Sequence, residues 1–137
     1  MKKNVLDSLR LLGTLLSRVS KAAEWSAGGK PQEAAKEVLS CLEKARKLVG
    51  AVRYEIGRSA ATGILMVLNG IDKDFAYLKL ELEYVDESQV SPETMKRVDQ
   101  HAQWKIDGIR ENFGEKLECC EKQILTTAKV EGSESAE

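Results

Sequence analysis

Four residues in one short stretch have the side chains that binding or catalysis uses: Arg97, His101, Trp104 and Lys105. If the stretch is helical, with Arg97 at zero and 100° per residue, His101 falls at about 40°, Trp104 at about 340° and Lys105 at about 80°. Val98, Ala102, Ile106, Ile109 and Phe113 centre near about 140°. Three of the four therefore point away from the apolar stripe, and Lys105 sits on its flank. A solvent-facing tryptophan beside a guanidinium and an imidazole is the composition of an interface hot spot, or of a surface on which bases stack. The competing structural reading packs Trp104 under the middle of the chain or under its first helix, with Arg97 and His101 lining the edge of the ring.

The rest of the chain offers little else that could do chemistry. His101 is the single histidine, which excludes a multi-histidine metal site within one chain. The Glu-x-x-His pairs of di-iron bundles are absent too, because Val98 and Trp104 stand three residues either side of it. No Gly-x-x-x-x-Gly-Lys-Ser/Thr loop and no Gly-x-Gly-x-x-Gly turn is present to cradle a phosphate. We expect neither metal nor cofactor and assign no catalytic residue. The acid pairs Glu81/Glu83 and Asp72/Asp74 lack a neighbouring third ligand and read as solvated surface. Cys41, Cys119 and Cys120 contain no Cys-x-x-Cys pair and are odd in number, which fits free thiols in a reducing compartment better than a disulfide framework. On the helical wheel Cys119 faces outward at about 40° and Cys120 inward at about 140°, so Cys120 and Cys41 read as small apolar residues.

Over five residues, Arg97 to His101, the sequence resembles the active motif of the HEPN ribonucleases, in which an arginine is followed after four to six residues by a histidine. Here only Val98, Asp99 and Gln100 intervene, and no other part of the chain matches. The resemblance implies a degenerate RNA-cleaving site around Arg97 and His101.

These side chains must be positioned by helices. Val5, Leu9, Leu12, Leu16, Val19 and Ala23 step by threes and fours, which predicts a first helix over about 3–26. Leu11, Leu15 and Ala22 form a second stripe beside it, an arc wide enough for neighbours on two sides. Gly28-Gly29 ends that helix, and Pro31, Gln32 and Glu33 suit the first turn of the next. Ala35, Val38, Leu42, Ala45, Val49, Val52 and Ile56 continue the stepping, so the first two helices read as an antiparallel hairpin. Ser91-Pro92-Glu93-Thr94 is a helix start, ahead of an apolar series from Met95 to Ala128 about 36 residues long. At 1.5 Å per residue that helix exceeds the width of a domain this size, so a bend at Gly108 or Gly114, or a partner chain, is needed to cover it.

The middle fits two templates. Ala61, Ile64, Leu68, Ile71, Phe75, Leu78, Leu82 and Val85 keep helical spacing, yet Leu78 to Tyr84 alternates strictly and Asn69-Gly70 is a hairpin signal. Helix is preferred, because a lone hairpin is marginally stable and Leu, Lys, Glu, Ala and Met favour helix. The expected fold is all-α, an up-and-down bundle of about four helices over residues 1–130. The alternative is α+β, with a β-hairpin or small meander at about 50–86. Residues 131–137, with Glu131, Glu134 and Glu137 among small polar neighbours, read as a disordered acidic tail.

With 21 basic and 22 acidic residues among 137, the net charge is −1, and without the three tail glutamates it is about +2. Neither value argues for a polyanion partner. Charges interrupt every apolar run near the N-terminus, and the run Ile64 to Leu68 is far shorter than the roughly 20 residues a bilayer requires, so no membrane partner and a cytoplasmic address are expected. The function expected is non-catalytic: a helical interaction or oligomerisation module, as a homo-oligomer or as a subunit or adaptor in a larger assembly. The alternative is a helical subunit of a nucleoprotein complex, or the degenerate ribonuclease. A ligand pocket among Leu12, Leu42, Leu68 and Phe113 has no residue pattern in its favour.

Overall fold

A computed structural model describes residues 2–25, 31–85 and 88–136. Helix α1 spans Lys2–Trp25, α2 Pro31–Ala51, α3 Arg53–Ile56, α4 Arg58–Glu83 and α5 Pro92–Ala136. Among the described residues there is no strand, so the β-hairpin alternative at 50–86 is overturned. Asn69 and Gly70 lie inside α4. Gly70 is required there for packing: a Cβ at this position would stand 2.8 Å from Cε1 and Cζ of the Phe113 ring.

The four long helices close a ring of neighbours, α1 on α2, α2 on α4, α4 on α5 and α5 back on α1. Cross-helix contacts show α4 and α5 running antiparallel, because Gly70 meets Phe113 while Glu81, further along α4, meets Lys105 earlier on α5. Between α2 and α4, Arg46 Nη1 donates to Asn69 Oδ1 at 3.3 Å and pairs with Asp72 Oδ2 at 3.4 Å. The interior is the expected set of stripes: Leu9, Leu12, Leu16 and Val19 from α1, Val38, Leu42 and Val49 from α2, Ile64, Leu68, Phe75 and Leu78 from α4, and Ile106 and Ile124 from α5. Each such side chain taken out of water contributes about 1.5–3 kcal/mol. Leu15, on the second stripe of α1, is also buried, whereas Leu11 stays exposed. The wide arc of α1 is therefore satisfied mostly within the chain, by α2 and α5.

Two boundaries differ from the periodicity. The second apolar series does not run unbroken to Ile56: the chain turns at Val52, makes the single helical turn α3, and restarts at Gly57, whose φ of 93° is left-handed. Apolar spacing carries through such a break because Val52 and Ile56 are both buried on either side of it. The last helix, 45 residues, is longer than the expected 36 and passes Gly108 and Gly114 without a break. It extends about 67 Å at 1.5 Å per residue, and two partners inside the chain cover it. Its early part meets α4 at Glu81 and Gly70, its later part meets α1, where Gly13 sits beside Ile124 and Leu125, and from Ile109 to Leu117 both helices flank it. Glu131 and Gly132 belong to this helix and are half-buried, while the side chains at 133–137, most of the expected tail, lie outside the described residues.

Candidate functional site

The start of α5 fixes where its functional residues point. Ser91 Oγ accepts a hydrogen bond from the Thr94 N–H at 3.2 Å, and the Met95 N–H donates to the Ser91 carbonyl at 3.0 Å, so this is the N-cap that the sequence announced. From that start, Ala102 and Ile106 face the core, and His101 and Lys105 come round to the side where α4 lies. There they meet Glu81. Lys105 Nζ donates to Glu81 Oε1 and pairs with it, and His101 Nε2 stands 4.0 Å from Glu81 Oε2. Both partners are partly solvated, so the pair orients side chains more than it stabilises the fold.

Arg97 and His101, one turn apart, also line a cleft of about 290 Å³ between the end of α4 and the start of α5. Its floor is apolar, built from Leu78, Leu82, Val85, Val98 and Ala102, and its rim carries Glu81, Thr94, Arg97 and His101. Among the described residues Arg97 has neither a hydrogen bond nor an ion pair. Trp104 stands outside the cleft, 71% exposed, with its ring centroid 6.1 Å from that of His101 and tilted by 32°. The reading that packed Trp104 under a neighbouring helix is corrected: the ring faces solvent.

Sequence reasoning singled out Arg97, His101, Trp104 and Lys105 on one helix and did not include what α4 brings beside them. Glu81 is exposed, as its reading as solvated surface has it, and it also pairs with Lys105 and stands beside His101. Tyr77, Leu80 and Tyr84 are also exposed, at 59%, 52% and 88%, and lie within about 60° of one another on the side of α4 away from its core stripe. Their signal was present in the spacing 77, 80, 84, hidden because the same segment alternates like a strand. A second, much smaller cavity, about 30 Å³ among Val19, Ile71, Phe75, Ile109 and Phe113, has room for about one water. Leu12, Leu42 and Leu68 are fully buried in the core.

Among the described residues no cluster of three His, Cys, Asp or Glu side chains could hold a metal. None of the helices is long and apolar enough among these residues to cross a membrane. Arg97 and His101 could in principle serve as anion binder and proton carrier, but the histidine's nearest charged partner, Glu81, is shared with Lys105. The architecture and site define an all-α bundle of four long helices, with exposed aromatic residues on α4 and α5 and a Glu81–Lys105 ion pair between these two helices. No protein-family model, curated protein or solved structure matches the chain.

Proposed function

We propose that this chain is a non-catalytic helical interaction module, working in the cytoplasm, that associates with a second copy of itself through the outer face of α4 and α5. The observation that supports the reading is the exposure of Tyr77, Leu80, Tyr84 and Trp104 near one end of the bundle, next to the Glu81–Lys105 pair. Contiguous exposed apolar surface marks interaction sites, and Trp and Tyr dominate interface hot spots. The Glu81, Lys105 and His101 charges beside them would set orientation more than affinity. The three free thiols fit the cytoplasmic address.

Sedimentation equilibrium tests this. The wild-type chain is expected to exceed the mass of one protomer as concentration rises, and the Tyr84→Ala/Trp104→Ala variant to remain monomeric with unchanged helical circular dichroism. A strictly monomeric wild type would overturn self-association; retrieval of a heterologous partner that the same variant loses would turn the face into an adaptor surface.

One observation favours a second reading: Arg97 and His101 line the same cleft, as a degenerate ribonuclease or RNA-binding subunit would require. That reading expects RNA binding that weakens steeply with salt and cleavage lost in His101→Ala. Equal cleavage of a mixed RNA substrate by wild type and variant would end it.

A further inference from the structure

We propose that the cleft between α4 and α5 binds a small amphipathic monocarboxylate, its aliphatic or aromatic body on the apolar floor and its carboxylate on Arg97. The volume, about 290 Å³, lies at the small end of ligand pockets, which run from roughly 300 to 1,000 Å³. Leu78, Leu82 and Ala102, nearly fully buried, give it a fixed floor with no polar group to satisfy, so the body of the ligand must be apolar. Every charged group lies at the rim, so the ligand must carry its polar head at one end only.

The sign of that head follows from which rim charges are already matched. Glu81 is held by Lys105 and flanked by His101, whereas Arg97 has no ion pair among the described residues. A cationic head would meet an acid that is already neutralised and an arginine that repels it. An uncharged apolar ligand would cover the guanidinium without pairing it. One guanidinium presents two parallel donors, which match one carboxylate. A phosphate dianion would need more donors, and the helix start has at most one to give: Pro92 has no N–H, the Thr94 N–H is taken by Ser91 Oγ and the Met95 N–H by the Ser91 carbonyl, which leaves the Glu93 N–H beside its own carboxylate. Lined by α4 and α5 of one chain, the site does not depend on self-association.

Calorimetric titration of the full chain tests the proposal, with decanoate, decyltrimethylammonium and acetate as probes, at a protein concentration where sedimentation finds one species. Decanoate is expected to bind one site per chain with a Kd of about 0.1–1 mM, in the range open to a ligand of this size. Acetate, lacking the body, and decyltrimethylammonium, lacking the anion, should give no saturable heat. Arg97→Gln should weaken decanoate at least about tenfold, the loss of one charge-assisted bidentate contact. Val98→Trp, which fills the floor from its half-buried edge, should abolish binding. The Tyr84→Ala/Trp104→Ala variant should bind as wild type does, which separates this site from the association face. No saturable decanoate heat, equal binding of the cationic probe, or an unchanged Kd in Arg97→Gln with helical content preserved would each overturn the assignment.

Discussion

Gly70 and Gly63 stand two turns apart on α4 and should respond to alanine with opposite signs. Alanine is intrinsically better than glycine inside a helix by about 1 kcal/mol, because glycine loses more backbone freedom on folding. At Gly63 a Cβ would meet nothing within 4 Å, so Gly63→Ala should stabilise by about 0.5–1 kcal/mol. At Gly70 the new methyl would press on the Phe113 ring at 2.8 Å, an overpacking cost of about 1–3 kcal/mol that exceeds the helix gain. Urea midpoints measure both, and the Phe113→Leu background should relieve the Gly70→Ala penalty because the two side chains share one contact. The thiols respond to their surroundings in the same local way. Burial first, then the charge of Glu37, to whose Oε1 the Cys41 Sγ donates at 3.7 Å, pushes Cys41 above its ordinary pKa; burial, then Cys119, pushes Cys120 up. An acid with a raised folded pKa holds its proton more tightly when folded. Its contribution to stability is complete below the unfolded thiol value of about 8.5 and is lost as pH rises through the raised folded values. Urea midpoints should therefore fall on the alkaline side, and more steeply in wild type than in Cys41→Ala/Cys120→Ala; equal slopes would refute the assignment. The candidate site was half legible at this scale. Arg97, His101 and Lys105 announce themselves by spacing on one helix, but Glu81 is contributed by another, 20 residues before His101, and no single-helix pattern reports a partner across a bundle.

At the scale of elements, the helix that carries the site depends on its first turn. Ser91 Oγ accepts from the Thr94 N–H, and Pro92 fills the first helical position, where a missing N–H costs nothing. Ser91→Ala should cost about 1 kcal/mol and Ser91→Asp much less, read from thermal midpoints by circular dichroism at 222 nm. Gly57 is the matching control point between α3 and α4. Its φ of 93° suits glycine, and Gly57→Ala should cost about 1–2 kcal/mol although space around it is open. These two positions show why helix starts were readable and one internal break was not. A cap is a local chemical requirement written in three or four neighbouring residues. The break at Val52–Gly57 leaves the core spacing intact, and its only mark in the sequence is one glycine among several. The same limit explains the hairpin alternative: Asn69-Gly70 is a turn signal only where its glycine is wanted for its dihedral angles, and here it is wanted for lacking a Cβ.

Over the whole molecule, the 45-residue α5 decides how the fold behaves as a unit. It packs along both α4 and α1, while α2 joins α1 to α4, so no pair of helices has a core of its own. Sequence periodicity correctly gave the helices and most of their buried residues, but a stripe says only that a face is covered and not by what. The width of α1 and the length of α5 both suggested a second chain, and both are met largely by the chain's own helices. Two consequences follow for unfolding. Melting should be a single cooperative transition, with far-ultraviolet circular dichroism and tryptophan fluorescence coincident and a calorimetric enthalpy of roughly 90–100 kcal/mol at about 0.7 kcal/mol per residue. Ending the chain after Leu117 should remove Cys120, Ile124 and Ala128 from the core and uncover Leu9, Leu12 and Leu16 on α1. If α5 ties the two sides together, the shortened chain loses its sharp transition throughout, including around α4, which still has α2 and the first part of α5 beside it. Hydrogen exchange on the shortened chain makes the distinction. Amides of α4 are expected to lose protection along with those of α1, whereas persistent protection in α2 and α4 would mean that these helices, with the first half of α5, form a folding unit without α1.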